Sequence, residues 1–247
     1  MPRLVEFERL PAMPQVRYSA GAEAYAGRVA AILPAAIAKV EAAHYRPFAT
    51  AADVFVCGTD SCFHRFVDES YNFTAAVVYD NRLVLAPRLF DREPHRLEPV
   101  LVHELSHLHL GQRRGHYTTA IPVWFHEGLA SLAADGGGAD LATDEEAWRS
   151  VDEGRYFLPD EQHLSWIRKR ADTWGLSINV FYRQTFIYLR DLRARDAAAF
   201  RRMLDLLYAR VDFDSAFAQA MDANPERSAL AFFKRLQCAQ RVAGYCP

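Results

Sequence analysis

The sequence predicts an α+β fold: a small mixed sheet packed on two helices that carry histidine and glutamate, followed by a helical C-terminal subdomain. Three observations support this prediction. Short β-rich runs precede residue 90, an apolar helical run carries HELSH at 103–107, and helical spacing dominates beyond residue 146. The predicted parts, which form one compact unit, are an N-terminal arm (1–18), an α+β subdomain (19–140) and a helical subdomain (141–247).

The N-terminal region predicts an arm followed by a helix. Residues 1–18 contain three prolines and little periodicity, which indicates an extended arm on the surface. The alanine-rich run 20–44 has apolar residues at helical spacing and predicts a helix. Pro34 should break or kink this helix, because proline removes a backbone donor and clashes with the preceding turn.

Three runs rich in strand-forming residues predict the small sheet. They cover residues 53–57, 74–80 and 82–86. The last two runs flank a tight Asp80-Asn81 turn, so we expect a hairpin there.

The helix predicted over residues 100–111 carries His103, Glu104 and His107 among apolar neighbours. Residues four apart lie on one face of an α-helix, so the two imidazoles point to the same place in space. Glu104 lies one step round the helix and can reach a water at a metal without being a ligand itself. The apolar setting favours a metal-binding helix over a solvated surface helix that happens to carry histidines.

Glycines mark the predicted ends of this helix and of the next. Gly111 is placed to end the first helix in a left-handed cap. A second helix begins near Pro122 and continues until the glycine run 136–138 stops it. Beyond an acidic loop over 139–146, the helical segments are predicted near 161–170, 177–194, 197–210, 213–222 and 226–240.

A catalytic zinc ion normally takes three protein ligands, so the third must come from another element. In the metzincin arrangement a glycine and a histidine follow at fixed short offsets, but Leu110 and Arg113 occupy those positions. In the gluzincin arrangement a glutamate on the next helix is the third ligand. Glu127 stands 20 positions after His107, within WFHEGLASL.

The segments HELSH and PVWFHEGLA resemble the motifs of gluzincin zinc metallopeptidases, in particular the peptidase MA-like group and the M1 aminopeptidases. The second motif of these families commonly runs W-x-x-E-G-x-A, and Trp124, Glu127, Gly128 and Ala130 match it. The resemblance implies a thermolysin-like gluzincin fold and one Zn²⁺ per chain. It also implies that Glu127 is a zinc ligand beside the two histidines.

Within this motif, Gly128 should let the two metal-binding helices approach closely. Two positions depart from the family pattern. His126 stands where asparagine is usual and is a candidate for contact with substrate or with a ligand. Ser131 replaces an acidic residue that supports a ligand histidine in some gluzincins.

The run 180–192, VFYRQTFIYLRDL, resembles the segment in which these families place a tyrosine that stabilises the tetrahedral intermediate. Tyr182 matches that tyrosine and would donate a hydrogen bond to the oxyanion. The glycine usual two to three places later is replaced by Arg183-Gln184-Thr185, so Tyr188 is a second candidate. The alternative for Tyr182 is an aromatic residue of the core.

The function implied by the resemblance is a zinc-dependent metallopeptidase that hydrolyses peptide or protein substrates. Glu104 would transfer the proton of the attacking water to the leaving amine, and Tyr182 would hold the oxyanion. By fold analogy, the hairpin at 74–86 supplies an edge strand for an extended peptide. Two alternatives are a non-catalytic zinc-binding scaffold on the peptidase fold and a hydrolase of a non-peptide amide in the cell envelope.

Composition excludes several other classes. Acids and bases are interspersed and the net charge is −2, so no nucleic-acid partner is expected. No apolar run has the length of a membrane span, and residues 1–11 are too charged for a signal peptide. No feature of the sequence indicates an oligomeric state.

The four cysteines fall in two locally spaced pairs, Cys57 with Cys62 and Cys238 with Cys246. Neither pair has the two-residue spacing of zinc ribbons or thioredoxin motifs. Local disulfides, and with them a periplasmic or secreted location, are therefore favoured over a cytoplasmic protein with four reduced cysteines.

Overall fold

The structure is a computed structural model that describes residues 6–67, 74–79, 81–159 and 171–240, with only the backbone at 116, 117, 239 and 240. The fold is α+β, as predicted. The chain divides into two compact units: the first comprises 1–113 and 133–137, and the second comprises 114–132 and 138–247. Residues 114–132 therefore group with the C-terminal helices, whereas the sequence places them in the α+β subdomain.

Five strands form one mixed sheet in the order β1-β2-β3-β5-β4. The strands are β1 Glu8–Leu10, β2 Met13–Tyr18, β3 Val54–Val56, β4 Ala76–Tyr79 and β5 Arg82–Leu85. The central strand β3 pairs in parallel with β2 and β5, while β1 and β4 are antiparallel to their neighbours. The predicted hairpin is confirmed as β4 and β5, and Asn81 adopts the left-handed conformation (φ 59°) that such turns require.

Both faces of the sheet are covered, and β3 is buried along its whole length. Val16, Val54 and Leu83 are aligned across the sheet and belong to the main core. Phe55 and Val84 point to the other face, where a second cluster includes Phe7, Phe63 and Phe66. A strand buried on both faces is expected to be continuously apolar, which explains the sequence VFV of β3.

The arm predicted over 1–18 is wrong for residues 8–18, which form β1 and β2. Val16 is fully buried in the core. The register between β1 and β2 shifts between Arg9 and Leu10, and Pro14 lies in the stretch of β2 opposite this shift. A bulge tolerates proline, so Pro14 does not prevent β2 from pairing with β3.

The helices cover most of the remaining chain. They are α1 Glu23–His44, α2 Asp60–Phe63, α3 Arg88–Asp91, α4 Leu97–Arg114, α5 Val123–Ala133, α6 Asp144–Asp152, α7 Ile178–Arg195, α8 Ala197–Tyr208, α9 Phe213–Met221 and α10 Pro225–Gln240. In the described ranges, none of these helices has the length and apolar character to cross a bilayer. The helix predicted near 161–170 lies outside the described residues.

Three predicted helix boundaries are corrected by the structure. Helix α1 continues through Pro34, which is exposed, because the opposite face buries Val29, Leu33 and Val40 in the core. Helix α4 passes Gly111 and ends at Arg114, where Gly115 takes the left-handed conformation (φ 55°). The predicted acidic loop is shorter than expected, because a capping box formed by Thr143 and Glu146 begins α6.

An aromatic cluster forms the core of the second unit. The Trp124 ring lies 5.5 to 5.6 Å from the rings of Phe157, Tyr188 and Phe213. Phe233 also packs on Phe157, with a centroid distance of 5.2 Å. Aromatic pairs at such distances each add about 0.5–1.5 kcal/mol beyond the area that they bury. The cluster therefore holds α5 firmly against the C-terminal helices of its unit.

Buried polar residues connect α4 to α1 and to the residues that follow α1. His44 on α1 and Ser106 on α4 are both buried, and their Nε2 and Oγ atoms lie 2.6 Å apart. His109 is fully buried, and its Nε2 lies 3.0 Å from the carbonyl oxygen of Arg46 and 3.2 Å from that of Pro47. A carbonyl only accepts, so His109 donates from Nε2 and anchors the chain that follows α1.

His109 should make the protein sensitive to acid. Burial lowers the pKa of His109 from 6.5 to about 4, although its bonds to the carbonyls oppose this. Between these two pH values the unfolded chain binds a proton at His109 that the folded chain does not. The contribution of His109 to the free energy of unfolding is therefore fully present above pH 6.5. It falls by up to about 3 kcal/mol as the pH approaches 4.

The measurement is urea unfolding of metal-free protein from pH 4 to 8. His109→Gln keeps a donor for the carbonyls and should reduce the pH dependence in that window. His64→Gln, at an exposed histidine, is the control and should match the native slope. An unchanged slope in His109→Gln would contradict the assignment.

Cys57 and Cys62 form a disulfide that joins the end of β3 to α2. Cys238 is also disulfide-bonded, whereas Cys246 lies outside the described residues. The predicted local pairing of Cys57 with Cys62 is confirmed. Closing a loop of this size stabilises the fold by about 2 kcal/mol in the chain-entropy model.

Candidate metal centre

Helix α4 brings His103 and His107 together. They are one helical turn apart, and their Nε2 atoms lie 3.1 Å from each other. His103 is 5% exposed and His107 is half-buried. Two ring nitrogens at this distance attract each other only when one carries a proton or when both bind the same cation.

The protonation of His103 follows from its other ring nitrogen. Nδ1 of His103 lies 3.1 Å from the carbonyl oxygen of Gly137, within the first unit. Because a carbonyl can only accept, Nδ1 carries the proton and donates it. In the neutral imidazole this leaves the lone pair on Nε2, the atom that faces His107.

Helix α5 contributes the carboxylate of Glu127. One ligand atom each of His103, His107 and Glu127 can be chosen so that all three lie within 4.8 Å of one another. Two imidazoles and a carboxylate at this spacing form a group that could bind a metal ion. In the described part of the chain, it is the only group of three or more His, Cys, Asp or Glu residues with this property.

Glu104 follows His103 directly on α4 and is half-buried. Successive residues on an α-helix are about 100° apart, so its side chain leaves the helix beside the imidazole pair. Its neighbour on the other side, Leu105, is fully buried in the core. This position is compatible with the role predicted from the sequence, in which Glu104 acts without binding the metal.

Gly128, which follows Glu127, lies close to α7. An added Cβ would lie 2.9 Å from the carbonyl oxygen of Thr185 and 3.2 Å from both methyl groups of Leu189. Both residues belong to α7, so the glycine permits α5 to approach α7. In the W-x-x-E-G pattern, Trp124 thus packs in the aromatic cluster before Glu127, and Gly128 allows close contact with α7 directly after it.

Of the two candidates for the tyrosine that stabilises an oxyanion, Tyr182 has the environment better suited to contact with a substrate. Tyr188 is fully buried in the aromatic cluster, and burial raises the pKa of its hydroxyl above the ordinary value. Tyr182 is half-buried in the second turn of α7, and Thr185 donates a hydrogen bond from its hydroxyl to the Tyr182 carbonyl (2.9 Å). Tyr188 is thus a core residue, whereas the side chain of Tyr182 retains access to solvent.

The two departures from the family motif occupy different environments on α5. His126 is half-buried and Ser131 is fully buried.

The sequence does not reveal the hydrogen-bond partner of His103. This partner is the backbone carbonyl of Gly137, and every residue type has such a carbonyl. The only signal was the run of three glycines at 136–138.

Comparisons with protein-family models, with curated proteins and with solved structures found no match to this chain. The resemblance to gluzincins therefore depends on the motifs of this sequence.

Proposed function

We propose that the protein is a zinc-dependent metallopeptidase of gluzincin type. The observation that carries this proposal is the grouping of His103, His107 and Glu127, with ligand atoms within 4.8 Å of one another. Two histidines and a glutamate are a ligand set of catalytic zinc sites, which keep a further position for water. The non-ligand Glu104 beside this group is the residue that a hydrolase requires and a purely structural metal site does not.

The spacing of the two histidines supports zinc. With Zn–N bonds of about 2.0–2.1 Å and tetrahedral geometry, two ligand nitrogens are about 3.3 Å apart. The two Nε2 atoms lie 3.1 Å apart. The hydrogen bond from Nδ1 of His103 to the Gly137 carbonyl also supports a zinc ligand. A histidine that binds zinc through one ring nitrogen usually donates the N–H of the other to a carboxylate or a carbonyl.

When bound, the zinc ion would polarise the scissile carbonyl and acidify the attacking water. Glu104 would accept the proton of that water on a carboxylate oxygen and deliver it to the leaving amine. Tyr182 would donate a hydrogen bond from its hydroxyl to the oxygen on which negative charge develops. The core position of Tyr188 favours Tyr182 for this role.

The proposed substrate is a peptide bound in an extended conformation. In the described sheet, β4 is an edge strand, and β5 separates it from the buried β3. An extended peptide can add to such an edge through backbone hydrogen bonds, with its side chains alternating between the two faces. The disulfide between Cys57 and Cys62 supports activity in an oxidising compartment, such as the periplasm or the exterior of the cell.

Incubation of the purified protein with a peptide library tests the proposal. We expect cleavage at defined positions that a chelator abolishes and that added Zn²⁺ restores. Mass spectrometry of the products identifies the cleaved bonds. Stoichiometric zinc without cleavage would favour a non-catalytic scaffold or a non-peptide amide substrate, and cleavage that resists chelation would contradict the metal mechanism.

A further inference from the structure

The glycine run 136–138 does more than end α5. Helix α5 already ends at Ala133, and Asp135 adopts the left-handed conformation (φ 51°) before the run begins. Gly136 and Gly138 also have positive φ, 97° and 79°. A left-handed residue alone can terminate a helix, so three further glycines need another explanation.

Gly137 packs against α4 one turn before His103. A Cβ at Gly137 would lie 2.6 Å from the Cβ of Pro99, and 3.0 Å from both the Cα of Pro99 and the Cβ of Ala134. These distances exclude any side chain unless the backbone moves. Gly137 is buried, and its N–H donates to the carbonyl of Ala134 (2.9 Å), which holds the turn in place.

This close approach directs the Gly137 carbonyl to His103. Helical side chains lean towards the N-terminus of their helix, so the imidazole of His103 points back to the turn that contains Pro99. The carbonyl oxygen of Gly137 meets Nδ1 there at 3.1 Å in a buried setting. Residues 133–137 belong to the same compact unit as α4 up to residue 113.

We infer that Gly137 is a positioning residue of the metal centre, whose carbonyl fixes the Nδ1–H tautomer and the ring orientation of His103. The inference rests on the proposed metal site. Gly136 and Gly138 supply the backbone conformation, and the missing Cβ of Gly137 supplies the contact with Pro99. The carbonyl thus takes the place that a carboxylate side chain has in other zinc sites.

The test is the metal affinity of Gly137→Ala, measured by competition between the protein and a chromophoric chelator for Zn²⁺. Loss of an outer partner of a ligand histidine typically weakens metal affinity by about 10- to 100-fold. We expect a loss in this range, together with a changed visible spectrum of the Co²⁺-substituted protein. Gly111→Ala is the matched control on α4, because a Cβ there meets nothing within 4 Å, and it should bind like the native protein.

A second measurement uses the native chain and does not depend on the folding of the variant. In metal-free, ¹⁵N-histidine-labelled protein, long-range proton–nitrogen correlations should show His103 as the Nδ1–H tautomer. The signal is assigned by its absence in His103→Gln. An Nε2–H tautomer of His103, or native metal affinity in Gly137→Ala, would overturn the inference. A native protein that binds Zn²⁺ without cleaving peptides would overturn the proposed function alone, and one that binds no metal would overturn both.

Discussion

Glu104→Gln is expected to lower peptide hydrolysis by about two to four powers of ten while zinc remains bound. Glutamine has nearly the same shape as glutamate but cannot accept the proton of the attacking water. Because the two side chains have nearly the same size and Glu104 is only half-buried, the substitution should leave the fold unchanged. The measurement combines zinc stoichiometry with kcat on a peptide identified in the library experiment.

Glu98→Gln is the matched control for this variant. Glu98 lies in the first turn of the same helix and forms an exposed ion pair with Lys39, with 2.7 Å between Oε1 and Nζ. It should retain full activity, since exposed pairs contribute at most about 1 kcal/mol to stability. If Glu104→Gln loses its zinc, Glu104 is a ligand, and if it hydrolyses peptides at the native rate, Glu104 has no catalytic role.

Glu127→Ala is expected to have the largest effect on metal binding. It removes one of the three proposed protein ligands, so the loss of zinc affinity should exceed the loss of about 10- to 100-fold that is typical of an outer partner. Hydrolysis should fall with zinc occupancy. Competition titration with a chelator measures the zinc affinity. Calorimetry of the metal-loaded protein measures how much zinc raises the unfolding temperature.

The control for Glu127→Ala is Glu145→Ala, at an exposed glutamate on α6 in the second unit that forms a surface ion pair with Arg149. This variant should bind zinc like the native protein. Native zinc affinity in Glu127→Ala would show that the carboxylate is not a ligand, and it would remove the gluzincin assignment with it.

The success and failure of the fold predictions have a common physical reason. The hairpin of β4 and β5 was predictable because its pairing is local and its turn has a characteristic composition. The strand β2 was missed because it pairs with β3, more than 30 residues away, and such pairing leaves no periodic signal. The local pairing of β1 with β2 is interrupted by a register shift, so it leaves no regular alternation either. The prolines in this region then favoured the wrong interpretation.

Gly128 and Gly137 illustrate the same limit at the site. The sequence marks both positions by residue type, but the role of each glycine depends on a neighbour that is distant in sequence. Gly128 lies against Thr185 on α7, more than 50 positions later in the chain. Gly137 contacts Pro99, 38 positions earlier in the chain.

The pairing of His103 with His107 was predictable from local spacing. Helix geometry is a property of neighbouring residues, so HELSH alone places His103 and His107 on one face and Glu104 beside them. Glu127 was reached through the resemblance of its motif to those of gluzincins. The carbonyl on Nδ1 of His103 comes from Gly137, 34 residues later in the chain. Backbone conformation and close packing around Gly137 set that contact, and no residue spacing encodes it.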